Sequence, residues 1–206
     1  RSHETPMLSL GNIYSFDELL SWDADIRKRL GGQKPSYVCE LKIDGVAVSL
    51  IYRNGLLEAG VTRGDGNQGE EITSNIKTIS SLPLIIGDKS DLEVRGEVYL
   101  KRKNFNAINQ QRAIKGEPLF KNPRNSAAGS VRLLDSTETR RRKLDAFIYS
   151  IAEGSQKKTH KGNLEYLRQM DFPVNSETKQ VNKIEEAVEY CHYWEEHKEN
   201  LPYDID

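Results

Sequence analysis

In the run CELKIDGVAVSLIYRNG, residues 39–55, Lys42 stands between two acids, each two positions away. With the two-residue period of a strand, Glu40, Lys42 and Asp44 point one way and Leu41 and Ile43 the other. Three ionisable groups on one strand face can form the floor of a polar cleft. The bland reading of the same residues is a solvated sheet face. A second run, LEVRGEVY (92–99), repeats the pattern: Glu93, Arg95 and Glu97 alternate with Val94 and Val98. As two exposed strands, these would hold cross-strand ion pairs worth about 0.2–1 kcal/mol each. Gly45 directly after Asp44 and Gly96 directly before Glu97 favour a cleft, because glycine inside a strand often marks close approach of a ligand or of backbone.

Three other stretches could carry chemistry. Gly64, Gly66 and Gly69 in TRGDGNQGEEI spell G-x-G-x-x-G. The strand before them is the second arm of a hairpin and carries Glu58, Thr62 and Arg63, so the expectation is a tight glycine-rich loop and not a dinucleotide-binding turn. In FKNPRNSAAGSVRLLD, Arg124 precedes a small-residue helix and Arg132 lies two turns on. This is either a capped, closely packed helix or a pair of guanidinium groups for phosphates, and the sequence leaves both open. The run Arg140–Lys143 reads as a solvated loop that could also touch a nucleic-acid backbone. His192 and His197, five apart on a helix, share no face and clamp no metal.

These groups need a scaffold. Alternation and turn chemistry predict strands on either side of Asn54-Gly55, the strongest short hairpin signal, and again over 92–100 and 144–152. Helical spacing predicts helices over 15–30 with Ser15 as N-cap, over 70–79, 103–114 and 126–134, and a closing pair over 163–170 and 182–200. The fold class expected is α+β, a mainly antiparallel sheet with flanking helices, the last helix pair forming a partly separate lobe. The 206 residues are 36% hydrophobic and 30% charged with a formal net charge of -1, so nothing draws the whole chain to nucleic acid or to an anionic membrane. No apolar run approaches the ~20 residues of a spanning helix, and nothing reads as a secretory leader. Cys39 and Cys191 form no C-x-x-C pair and fit a reducing compartment, with Cys191 at a core or boundary position. The ends, RSHETPML and LPYDID, read as those of a fragment.

Taken together, HETPMLSLGN (3–12), CELKIDGVAVSL (39–50), TRGDGNQGEEITSN (62–75), LEVRGEVY (92–99), LFKNPRNSAAGSVRLLD (119–135) and YDID (203–206) resemble, in order, the adenylation domain of bacterial NAD-dependent DNA ligases. The K-x-D-G of KIDG is shared by all covalent nucleotidyltransferases, including ATP-dependent ligases and capping enzymes. TRGDG-x-x-GE and NPRN-x-AAGS-x-R resemble the NAD-dependent branch. The resemblance implies the ATP-grasp-like fold of those enzymes over 1–206 as one adenylation domain, with Lys42 as the nucleophile. Lys42 would attack the α-phosphorus of NAD, expel nicotinamide mononucleotide and hold AMP. The AMP would pass to the 5′-phosphate of a nick, and the 3′-hydroxyl would seal it, in DNA replication and repair.

By the same resemblance Ser9 and Leu10 line the nucleotide pocket, Glu40 and Glu97 surround the nucleotide, and Arg63 lies beside ribose and phosphate. Tyr149 stacks on adenine, Arg124 and Arg132 approach phosphates of NAD or the nick, and Asp44 stands near the lysine or its metal. NAD, Mg²⁺ or Mn²⁺ and nicked duplex DNA are the implied partners of a monomer in the bacterial cytoplasm, near the nucleoid. Zinc belongs to family modules outside this stretch. So do the domain that grips nicotinamide mononucleotide and a later essential lysine, and the stretch alone is expected to be inactive or severely impaired. The rival readings are an ATP-dependent nucleic-acid ligase or capping-type enzyme, and a non-catalytic nucleotide-binding module, which the intact ELKIDG argues against.

Overall fold

The computed structural model describes residues 1–154 and 156–206. Its elements run α1 (Phe16–Arg29), β1 (Tyr37–Cys39), β2 (Val46–Arg53), β3 (Leu56–Thr62), α2 (Thr73–Ile76), β4 (Leu92–Tyr99), α3 (Arg102–Ile114), α4 (Pro123–Ser130), α5 (Ser136–Arg142), β5 (Asp145–Glu153), α6 (His160–Gln169), β6 (Lys179–Val181) and α7 (Ile184–His197). They fall into two units. None of the helices is long and apolar enough to cross a membrane among the described residues.

The larger unit holds residues 1–7, 42–175 and 202–206. Its base is a four-stranded antiparallel sheet in the order β3-β2-β4-β5. The β2–β3 hairpin turns at Asn54 and Gly55, with φ of 50° and 77°, the left-handed pair that a two-residue hairpin loop requires. One sheet face is apolar: Val48, Leu50, Tyr52, Leu92, Val94 and Val98 are fully buried, and the Tyr52 ring meets Phe172 edge-on at 5.3 Å. The opposite face is mixed. There Ala47 pairs with Glu97, Ser49 with Arg95 and Ile51 with Glu93, so the polar residues of β4 line up behind small or apolar partners. Helix α4 packs on β2 and β4, and α6 on β5.

Three helices depart from expectation. Over 70–79 only Thr73–Ile76 is helical, because the residues before it pair with the sheet edge: Glu71 bridges to Val61 and Ile72 N–H donates to Gly60 O at 2.8 Å. The Arg140–Lys143 run is not a loop but the end of α5. Asp135 caps that helix, accepting from Thr137 N–H at 2.8 Å, and three arginines complement the C-terminal dipole. The small-residue helix starts earlier than expected, at Pro123, capped by Asn122.

The smaller unit holds residues 8–41 and 176–201. Ser15 caps α1 as expected, accepting from Glu18 N–H at 3.2 Å. Strands β1 and β6 form a short antiparallel ribbon, with Tyr37 opposite Val181. Val181, Ile184 and Ala187 make its core, with Leu19, Tyr37 and Cys39 packed on them. Buried Asp23 accepts from Arg27 Nε at 2.7 Å and from the Tyr37 hydroxyl. Burial and that carboxylate push the Tyr37 phenol up to about 12. The closing helix pair is therefore not one lobe: α6 belongs to the larger unit, while α7 finds its apolar partners in α1 and β1. Cys191 is exposed, not core or boundary, and both cysteines are free thiols.

Candidate active site

Lys42 does not lie in a strand. Residues 40–45 connect β1 to β2, and among the described residues the ladder they make is a bridge between Ile43 and Ile205. Asp44 N–H donates to Asp204 O at 3.0 Å, and Asp206 N–H donates to Lys42 O at 2.8 Å. The partner segment is itself anchored: Arg102 Nε donates to Asp204 Oδ1 at 2.6 Å, and Tyr203 packs edge-on against Tyr99 and Phe147. The expected alternation survives over this bridge. Ile43 is buried, and Lys42 and Asp44 project from the other side.

Lys42, Asp44, Glu97, Arg124 and Asp206 form one cluster. Lys42 Nζ is ion-paired with Asp206, and Arg124 Nη1 with Asp44 Oδ1 at 3.0 Å. Glu97 is half-buried and accepts from the Gly45 N–H. Burial pushes its carboxyl up to about 7, against the opposing pull of Arg124 and Lys42 and with a further push from Asp44. Near neutral pH Glu97 therefore divides between acid and carboxylate. The Lys42 contact holds the Asp206 carboxyl below its ordinary range.

Both glycines answer to backbone approach, although only Gly96 lies in a strand and Gly45 stands just before β2. A Cβ on Gly45 would stand 2.3 Å from Val98 O and 2.9 Å from Glu97 Cγ, and one on Gly96 would stand 2.4 Å from Phe147 O. A side chain at residue 45 would displace the carboxylate that the cluster is built around. The other end of the β4 polar face is closed off. Glu93 is buried and accepts from Ser49 Oγ at 2.6 Å, while Arg95 donates to the carbonyls of Thr5 and Pro6.

The remaining predicted residues are placed as follows. Arg63 N–H donates to Ala47 O at 3.0 Å, which sets it in one row with Ala47 and Glu97, and its Nε donates to Met7 O at 3.2 Å. Arg132 is ion-paired with Glu70 and donates to Ala128 O at 3.0 Å. Tyr149 sits in a bulge: Gly96 pairs with Ile148 and Arg95 with Ser150, so Tyr149 is the extra residue of β5. A bulge re-aims a side chain, and straight alternation does not foresee it. Ser9, Leu10 and Glu40 belong to the smaller unit, with Ser9 and Leu10 exposed and Glu40 half-buried.

The glycine-rich stretch is a closed loop on an antiparallel hairpin. Thr62 N–H donates to Glu70 O at 2.9 Å, and Asp65 accepts from the N–H groups of Asn67 and Gln68, both at 2.8 Å, which holds its carboxyl low. Residues 1–7 run along it, His3 and Met7 N–H donating to Asn67 O and Gly66 O. Sequence reasoning missed Asp206 and Asn75. The acid spacing of YDID was the available signal for the first, and nothing marked the second.

Asp44 is held by Arg124, and among the described residues no group of three or more His, Cys, Asp or Glu is set to hold a metal. The side chains present do not fit a dedicated divalent-cation cage. The donor set does suit phosphate: Lys42, Arg124 and Arg132 are each neutralised by an exposed or half-exposed carboxylate. Such ion pairs contribute only about 0–1 kcal/mol and are readily exchanged for a charge-assisted contact to another anion.

The whole chain, residues 1–206, matches the family described as the NAD-dependent DNA ligase adenylation domain. Among curated proteins, a DNA ligase of Staphylococcus saprophyticus is 48% identical over 207 residues, covering 100% of this chain. A DNA ligase of Halalkalibacterium halodurans is 46% identical over 99% of the chain, and one of Mesoplasma florum 44% over 100%. In each case the chain spans 31% of the relative's length.

Proposed function

The chain belongs to the NAD-dependent DNA ligase adenylation family, and from that premise we propose that residues 1–206 act as one adenylation domain that charges itself with AMP from NAD and passes it to a nick in duplex DNA. The observation that carries this reading is the Lys42 cluster, a lysine set among Glu97, Asp44 and Arg124 in the motif the family uses for nucleophilic attack. Lys42 Nζ loses a proton and forms the N–P bond to the α-phosphorus, while the P–O bond to nicotinamide mononucleotide breaks. An oxygen of the nick's 5′-phosphate then bonds to the AMP phosphorus as the N–P bond breaks and Nζ regains a proton, and the 3′-hydroxyl, losing its proton, forms the phosphodiester as AMP leaves.

The pairing with Asp206 holds Nζ in place, and it opens before attack so that the nitrogen can reach the phosphorus. Arg124 and Arg132 exchange Asp44 and Glu70 for phosphate oxygens, and Arg63 holds the ribose and phosphate side. Glu97, with its carboxyl near 7, can donate as an acid or accept as a carboxylate where Lys42 and Arg124 meet. Tyr149 offers a ring face to adenine. Mg²⁺, when bound, would supply charge neutralisation at the phosphates.

Intact-mass measurement on the full-length protein tests this. Incubation with NAD and Mg²⁺ yields an AMP adduct that ATP does not produce and that Lys42→Ala abolishes. Sealing of a nick already carrying 5′-AMP is impaired far less in that variant. An adduct of equal yield in Lys42→Ala, or equal loss in both assays, removes Lys42 as the nucleophile.

A further inference from the structure

The formal charge of -1 hides a strong asymmetry. Between residues 101 and 143 twelve Lys and Arg stand against three Asp and Glu, so the other residues carry ten more acids than bases. This basic block is the α3–α4–α5 layer, and its α4–α5 loop has an unusual tip. Leu134 is fully exposed, at 106% of its reference area.

The loop beneath that leucine is firmly held. Asn75 is buried, and its amide donates to Val131 O at 2.6 Å and to Leu133 O at 2.8 Å. Thr139, equally buried, donates to Ser130 O and shares a 3.0 Å contact with Asn75 Oδ1. Asp135 then caps α5 immediately after the tip. A buried polar network is costly unless it is fully satisfied, and this one fixes the carbonyls of Ser130, Val131 and Leu133, the stretch that leads directly into an apolar residue in water. Exposed cations flank the tip: Arg132 before it, and Arg140 and Lys143 at the far end of α5.

We propose that Leu134 is a rigid apolar contact to duplex DNA, packing on the sugars beside the nick while Arg140 and Lys143 neutralise phosphates. An apolar point among cations suits the sugar–phosphate backbone, whose sugars present carbon and whose phosphates present charge. The six residues from Arg124, in the Lys42 cluster, to the end of α4 cover about 9 Å at 1.5 Å per residue before this loop begins. That reach places the contact about three base pairs from the reacting phosphate, at 3.4 Å per base pair. The proposal rests on the reading of the family reaction given above and adds a residue for holding its DNA.

The test uses the full-length protein and a short nicked duplex, with binding followed by fluorescence anisotropy over a salt series. Leu134→Asp should weaken binding about ten- to hundredfold, and Leu134→Met should restore it to within about threefold. Arg140→Ala and Lys143→Ala should each lower the slope of log K against log salt by about 0.9. Self-adenylation by NAD without DNA should be unaltered in all of them, which shows that the variants are folded. If the parent itself fails to self-adenylate, the reading of Lys42 fails while the binding comparison still stands. Leu134→Asp binding the nick within about twofold of the parent, or salt slopes that do not change, overturns the proposal.

Discussion

Glu93 and Glu97 lie four residues apart on one face of β4, in the same alternating run, and the chain treats them in opposite ways. Glu93 is buried, and its partners, Ser49 and Arg95, are internal to the sheet, with Arg95 also holding residues 5 and 6 over that end. Glu97 is half-buried, and its neighbours Lys42 and Arg124 are exposed and tied to exposed or half-exposed acids. A carboxylate whose partners are all enclosed is a structural element. One held in a desolvated spot beside displaceable cations is available for chemistry. What separates the two is the cover over the sheet, not the strand.

That contrast can be broken by removing each acid. Glu93→Ala leaves the buried Ser49 hydroxyl without its acceptor and removes the acid nearest Arg95, and should cost about 2–4 kcal/mol in denaturant unfolding. A loss below about 1 kcal/mol would show that the fold does not depend on Glu93. Glu97→Gln should instead change how stability depends on pH. Because burial raises the folded carboxyl to about 7 from 4.5, the folded state binds the extra proton, so this group's contribution is complete below about 4.5 and lost as pH rises through 7. Stability of the parent should fall across that window by about 1–3 kcal/mol more than that of Glu97→Gln. Parallel pH profiles would show that Glu97 is not desolvated. The smallest effect belongs to Asp44→Asn, which breaks an exposed ion pair and should alter stability by less than about 1 kcal/mol. It should also lower the Glu97 titration midpoint in carbon NMR, since Asp44 is one of the groups that raise it. A midpoint that stays put would remove Asp44 from the cluster.

Much of the scaffold was legible. Asn54-Gly55 carries its own turn geometry, Ser15 its own cap, and β4 its own alternation, because each depends on residues near in sequence. The misread elements depend on distant partners. The helix over 70–79 lost its first turns to pairing with β3, and α5 was missed since STETRRR shows no apolar period and is held by a cap and a buried threonine. Lys42 was read as a strand residue because its neighbours alternate, but what it bridges to is residues 204–206.

By itself the sequence determined the family and picked out the candidate residues: Lys42 in KIDG, Arg124 and Arg132 eight apart about a small-residue helix, and Glu97 on a polar strand face. Only the tertiary structure decided that Glu97 titrates near 7 while Glu93 is locked away, that Asp206 faces Lys42, and that Asn75 fixes the loop beneath Leu134. Residue type and spacing are properties of a local run of chain. Desolvation, charge neighbours and a carbonyl held from 56 residues away arise only when separate runs pack together.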